Sequence, residues 1–569
     1  MTAPSLFVRA SGLSLLAAAL SVPAEAQQLT ALIRRGEPIL GNGVFNRVED
    51  LKVNNNGTWI AEVTADYSLT SDNVLLRDGF MATREGANVS EPAGANLKGF
   101  ESIDINDAGR LVMSVTFNGV SAQVDSGLML DGRLIFQEDD ILDAEGFGAG
   151  TVWDRFQVVK INDRNQFLLA GEVMDPTIGS NRDDMLILCE FNDDLELTSI
   201  EQIALEGREI SDSIAGRDLR DVHNLTHNTA LTNEGDYMWS AFITGPPPTD
   251  TVILINDTVI AQEGMDAPVT DRRWRDIGNK PLHMNDDRQF IFWGLMNSSG
   301  TTPELQATDS ILVTGQLHDD GTLEIGKFVQ EGDVIPSLAP HAIIEPSNNA
   351  LIPSYYANNG HIYWIAQTNN PASLENEAVM RDFDIVFQRG LATVDGVTIQ
   401  TIRSAANGMH VSRDGRYMMV EVNLLNVGES IVFMDFGTIV PIDQCEPSGA
   451  TLESVEGMAL PGDSLTFVMD GAQGLGVQPF LFFSPRRLGG ECGVDLGFGE
   501  VLINSPIAHT QMGIDYLGTP TEITVNLPPD LSLADTTWYL QGLYVDVGDQ
   551  LPEEDFRLTN GLKMEIGRP

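Results

Sequence analysis

Cysteine is nearly absent from this chain, with three in 569 residues, at Cys189, Cys445 and Cys492. So few thiols exclude a disulfide-stapled scaffold and a cysteine-rich zinc module. One pairing stays open, Cys445 with Cys492, because both fall in the C-terminal region. Cys189 sits inside the apolar run Met185-Leu186-Ile187-Leu188-Cys189 and reads as a small buried hydrophobe with no basic neighbour to activate it. Cations are scarce as well. The 33 Lys and Arg face 82 Asp and Glu, a formal net charge of −49, which argues against nucleic acid and anionic membrane surfaces as partners. Such acidity fits calcium binding, a saline habitat or plain solubility, and the last two ask for least.

Long apolar runs are missing after residue 26, where no segment approaches about 20 uninterrupted apolar residues. Helical insertion into a membrane is therefore not expected. Residues 1–26 carry Arg9, the apolar stretch from Leu13 to Val22 and the small residues Ala24 and Ala26. These are the parts of a cleaved secretory signal, so cleavage near Ala26 and export to the periplasm or the outside are expected. Stretches with a 3.6-residue apolar period are also scarce. Chemical signatures are lacking too: there is no Gly-x-Ser-x-Gly elbow, phosphate-binding loop or zinc-protease helix in a fitting context. His223 and His227 stand four apart, but their surroundings read as strand or loop and no glutamate lies between them as that motif requires.

What the sequence does contain is a hairpin signature repeated seven times: a β-rich run, a tight Asn/Asp/Gly turn and a second apolar run. Val53-Asn54-Asn55-Asn56-Gly57 and Ile105-Asn106-Asp107-Ala108-Gly109 are its first copies, and the later turns end at Asn165, Gly235, Arg288, Gly360 and Gly415. A second motif alternates strictly with it, an apolar strand closing on an acidic or glycine turn, as in Ala82-Thr83-Arg84-Glu85-Gly86 and Phe328-Val329-Gln330-Glu331-Gly332-Asp333. Another short apolar run lies between them, such as Val74-Leu75-Leu76. Each unit therefore offers four short strands at a period of about 50 to 70 residues, which suits propeller blades and is too long for a β-helix coil.

The expectation is an all-β chain whose residues 28–442 form a seven-bladed β-propeller, with six or eight blades left open by insertions near residues 175–220 and 296–350. Because the first Glu-Gly strand precedes the first hairpin, the segment from Thr30 to Arg35 is expected to pair with Ser430 to Asp435. The last unit would thereby borrow its outer strand from the N-terminus and hide open edges. Around Pro441 to Pro447 the repeat stops. Residues 446–569, with runs such as Leu465-Thr466-Phe467-Val468-Met469 and Phe480-Leu481-Phe482-Phe483, are expected to form a small β-sandwich whose first strand Cys445 would tie to the loop holding Cys492.

Candidate ligand residues are few. Arg272, Arg273 and Arg275 flank Trp274 in a cation-poor chain and could hold an anionic or sugar ligand by bidentate bonds and stacking, although Asp271 and Asp276 favour local pairing. Asn106-Asp107, Asn162-Asp163 and Asn285-Asp286 offer oxygens to calcium. None follows the ladder of an EF-type loop, and these residues are the usual turn formers. The remaining histidines, His283 and His410 among them, are scattered. With so many carboxylates, no glycosidase pair can be chosen by sequence.

Val411-Ser412-Arg413-Asp414-Gly415-Arg416-Tyr417 resembles the Ser-Pro-Asp-Gly-Arg-Tyr hairpin of TolB-like propeller repeats, with Arg413 in place of the proline. The alternation of Asn-Asp-x-Gly hairpins with Glu-Gly-Asp strands over residues 28–440 is similar to secreted bacterial propeller-like proteins of uncharacterised function, and the C-terminal end resembles sandwich modules of exported bacterial proteins. Neither resemblance brings a catalytic motif. It implies a secreted binding or scaffold protein that presents propeller loops to an extracellular protein or polysaccharide, the alternative being a propeller-type glycan hydrolase or lyase.

Overall fold

The computed structural model describes residues 28–567 apart from 40–42, 67–71, 178–182, 193, 223–227, 247–248, 279–280, 298–308, 345–352, 373, 443–450, 457–458, 461–462, 471–476, 486–493, 496–499, 502–508, 513–519, 528–532, 535 and 547–555. Residues 1–27, where a signal is expected, and His223, His227, Cys445 and Cys492 all lie outside the described residues.

The regular structure of the described residues is nearly all strand, with two three-residue 3₁₀ turns at Asp212–Ile214 and Pro336–Leu338. Each repeat folds into one antiparallel sheet. In the first, Phe45–Val53, Trp59–Ala65, Asn73–Arg77 and Phe80–Arg84 lie side by side in chain order. The hairpin signature joins the innermost strand to the second, and the Glu-Gly motif is the outermost. Six further sheets repeat this plan, with inner strands ending at Ile105, Ile161, Leu231, Met284, Tyr356 and Val411. Third strands such as Ser126–Leu130 and Thr251–Ile255 are buried throughout, because neighbouring sheets cover both their faces. The outermost strand of the first sheet, Phe80–Arg84, has no buried residue.

The seventh sheet takes its outer strand from the other end of the chain. Ala31–Arg34 pairs antiparallel with Gly428–Asp435, Ala31 opposite Val432 and Arg34 opposite Ser430, the pairing that the motif order anticipates. Beside it Gln28–Leu29 runs parallel to Thr393–Val394, and Leu29 is fully buried. The arrangement is propeller-like.

A belt at the hairpin end ties the sheets into a ring. The amide N–H of Asn55 donates to Asp107 Oδ1 at 2.8 Å, that of Asp107 to Asp163 Oδ1 at 2.7 Å, and that of Asp163 to Asn233 Oδ1 at 3.0 Å. The series continues from Asn233 to Asp286 at 2.7 Å, from Asp286 to Asn358 at 2.9 Å, and from Asn358 to the Arg413 carbonyl at 2.7 Å. It closes where the Asp414 amide donates to Asn55 Oδ1 at 2.8 Å. Residues that looked available for calcium are thus committed between sheets. The preceding asparagines serve both directions: Asn54 Oδ1 accepts from Thr58 N at 2.9 Å within its own turn, while its Nδ2 donates to Asn106 O at 2.8 Å in the next.

After Asp435 the pairing changes. Thr438–Ile442, expected within the repeat region, pairs instead with Phe556–Glu565, because its backbone partners lie in the C-terminal sheet. That sheet also holds Thr537–Asp546, Val477–Ser484 and His509–Met512, while Thr451–Glu456, Ser464–Asp470 and Thr521–Asn526 form a second. Both share a core around Phe467, Met469, Leu481, Phe483, Leu540 and Met564.

Candidate functional site

An inner strand alternates its side chains, so the residue just before each strand's last points to the axis that the sheets surround. Read through the repeats, that position is Lys52, Asp104, Lys160, Ala230, His283, Tyr355 and His410. All seven line one axial cavity of about 100 Å³, together with Asp50 and Arg413. Two of the chain's six lysines are therefore on the axis of a protein carrying a net −49.

Most of these groups are already engaged. Lys52 Nζ bonds Asp50 Oδ1 at 2.5 Å and the Leu51 carbonyl at 3.1 Å. Asp104 Oδ2 accepts from the amide of Ile161 at 3.0 Å. His410 Nδ1 accepts from Val53 N at 3.1 Å, and His283 Nδ1 from Tyr356 N at 3.3 Å. Asp104, His410 and His283 thus each satisfy an amide of the next inner strand, which has no further strand to pair with. Tyr355 OH donates to the Met409 carbonyl at 2.8 Å, and its ring lies 4.9 Å from that of His283 and 5.4 Å from that of His410.

The electrostatics follow from burial. Burial, then the Arg413 and Lys160 charges, push His283 down to about 3, and burial with Lys52 and Lys160 holds His410 well below its ordinary value. Both rings are neutral across physiological pH. With Nδ1 accepting from a backbone amide, each carries its proton on Nε2. Burial likewise lowers Lys160, opposed by Asp104, and Lys160 Nζ has no hydrogen-bond acceptor among the described residues.

Arg413 spans the axis. From the seventh sheet its Nη1 reaches the Leu231 carbonyl at 2.7 Å and its Nη2 the Ile161 carbonyl at 3.0 Å, in the fourth and third sheets across the ring. Arg413 thus has a physical role that a proline at this position could not fill.

The Arg-Trp cluster does not converge on a ligand surface. Trp274 is buried beside Phe292, so its ring offers no stacking face. Arg273 pairs with Asp266 at 3.3 Å, Arg275 with Asp309 at 2.7 Å, and Arg272 donates to the Asn297 carbonyl at 3.4 Å. Asp154, Glu172 and Asp183, and Asp183, Asp184 and Glu206, form two acidic groupings with ligand atoms within 4.8 Å, at the edge of the third sheet and not in the hairpin turns. The axial ring is not visible in the sequence, where His283 and His410 stand scattered. Its signal is positional: a polar residue, one before the strand's end, in repeat after repeat.

Comparison with solved structures finds distant likenesses. Hydrazine synthase of Kuenenia stuttgartiensis matches at 8% identity over 68% of this chain and 99% of that one, with a TM-score of 0.32. The polysaccharide lyase Uly1 matches at 9% over 73% and 95%, TM-score 0.32, and a Trypanosoma rangeli sialidase in complex with sialic acid at 9% over 95% of both, TM-score 0.27. Scores and identities this low transfer no chemistry. Comparison with curated proteins finds no sequence match. The family described as "Family of unknown function (DUF7453)" matches residues 17–335, more than half of the sequence, and the chain belongs to it.

Proposed function

We propose that the chain is an exported binding protein, its signal removed near Ala26. In this reading the seven sheets are the blades of a β-propeller and the C-terminal pair of sheets is an accessory β-sandwich. The propeller presents its loops and axial face to an extracellular polysaccharide or protein. The observation that carries the reading is the engagement of the axial groups. A general base needs a free lone pair within reach of its proton, and both axial histidines have spent theirs on backbone amides, while Asp50 is paired with Lys52 and Asp104 accepts the Ile161 amide, each through one of its two oxygens. The cavity volume of about 100 Å³ is that of about three waters. Off the axis, between the first and second sheets, a groove of about 680 Å³ is lined by Arg77, Asn88, Ser90 and Arg110, a volume within the ordinary range of ligand sites.

A glycan hydrolase or lyase is the second reading, favoured by the gathering of Asp50, Asp104, Tyr355 and Arg413 in one cavity. One experiment separates the two. The mature protein is melted with a panel of soluble glycans while the same mixtures are assayed for new reducing ends and unsaturated products. A stability shift without product supports binding. Product formation that Asp50→Asn or Asp104→Asn abolishes would replace it with the enzymatic reading.

A further inference from the structure

We propose that the sector of the axial cavity bounded by Lys160, Ala230, His283 and Arg413 binds a small oxyanion of carboxylate size. The inference deepens the binding reading and rests on it. Its ground is the place where the axial ring breaks its own pattern. Every other sheet places a long or polar side chain at this level, whereas the fourth supplies Ala230 and leaves a gap.

Three donors border that gap. Lys160 precedes it in ring order with an ammonium that donates to no described group. His283 follows it, and with Nδ1 held by Tyr356 N at 3.3 Å, its remaining donor is Nε2–H. Arg413 lies across it, anchored on the carbonyls of Ile161 and Leu231, the residues directly after Lys160 and Ala230. Lys160 and Arg413 both push His283 down with no carboxylate opposing them there, so their charge reaches that ring uncancelled. Four carboxylates line the cavity: Asp50 pairs with Lys52 at 2.5 Å, Asp104 Oδ2 accepts from Ile161 N at 3.0 Å, Asp107 accepts the Asn55 amide at 2.8 Å, and Asp286 accepts the Asn233 amide at 2.7 Å and stands 3.9 Å from Arg413. Donors of Lys160, His283 and Arg413 thus border the gap, and the axial cavity as a whole, at about 100 Å³, admits an anion of a few heavy atoms but not a sugar ring.

The test titrates the full mature protein with acetate and, separately, inorganic phosphate by calorimetry. Two variants accompany it: Lys160→Met removes a donor, and Ala230→Leu fills the gap while leaving every charge in place. Saturable binding of at least one anion is expected, weakened at least about tenfold in Lys160→Met, as the loss of a charged hydrogen bond implies, and abolished in Ala230→Leu. A preference for acetate or phosphate would tell planar from tetrahedral oxygens, and either supports the site. No saturable binding of either anion, or wild-type affinity in a folded Ala230→Leu, overturns it. Ala230→Ser keeps the gap and must bind as wild type, which guards against a folding defect being mistaken for a lost site. Glycan binding by a wild-type protein that binds neither anion would show the anion site failing while the broader binding reading stands.

Discussion

Arg413 shows how one residue can serve a whole ring. Its two carbonyl partners lie in the third and fourth sheets, so it braces the hairpin end of the axis from the opposite side. Arg413→Ala is expected to cost about 2 kcal/mol, since charged hydrogen bonds contribute about 1.5–3 kcal/mol each and water can replace part of the loss at a side chain that is 25% exposed. Arg413→Lys should lose most of the same stability, because an ammonium cannot reach two carbonyls as a planar fork does. A lower urea midpoint at unchanged slope would check both. Glu62 is a second residue with a defined consequence. Burial, reinforced by Asp50, Glu49 and Glu85, pushes its carboxyl up to about 8. A folded-state value raised above the ordinary value of about 4.3 means that the stability is fully present below that ordinary value and is lost as pH rises through the folded one. Glu62→Gln should therefore match wild type in melting temperature near pH 5 and exceed it near pH 8, and the difference between two pH-dependent melting curves measures this.

Hairpins and outer strands were legible because their signals are local. A left-handed turn residue such as Gly57, at φ 74°, and the alternation around it need no distant partner to be read. The axial ring was not legible in the same way. His283 and His410 are each a lone polar residue in a three-residue strand, Lys52 and Lys160 are one polar residue among several in longer strands, and all four acquire meaning when the sheets bring seven strand ends together. Trp274 misled for the converse reason: an aromatic among arginines resembles a binding cluster until packing against Phe292 buries it. The hairpin belt joins the two cases, with turn residues chosen locally and bonded between sheets. Its one junction of two carboxylates is Asp107 with Asp163. Burial, then Asp163 against the opposing Asn55 amide, raises Asp107 to about 6. The associated stability is present below the ordinary aspartate value of about 3.9 and is lost as pH rises through about 6. Asp163→Asn keeps an acceptor for the Asp107 amide and places a donor beside its carboxylate. It is expected to raise the melting temperature at pH 7.5 and to reduce the fall seen between pH 4 and 7.5 in the wild type.

Across the whole molecule, the N-terminal strand bears on stability far beyond its length. Ala31–Arg34 supplies the outer edge of the seventh sheet, Leu29 is fully buried in the core shared with the sixth and seventh sheets, and the Arg35 amide bonds the Glu429 carbonyl at 2.8 Å. Without these residues Gly428–Asp435 would expose a row of unpaired amides and carbonyls beside the buried Ile431 and Val432, the kind of edge that recruits other chains. The closing strand also joins sequence ends about 400 residues apart, a long-range contact of the kind that slows folding. Removing residues 28–35 from the mature chain should therefore lower the melting temperature and promote concentration-dependent association. Leu29→Ala should reproduce the loss of stability, by about 2–5 kcal/mol for a buried leucine, while leaving the edge paired and the protein monodisperse. Melting curves paired with light scattering would separate the two effects. If the truncated chain melted and scattered as the full one does, the N-terminal strand would not be what closes the ring.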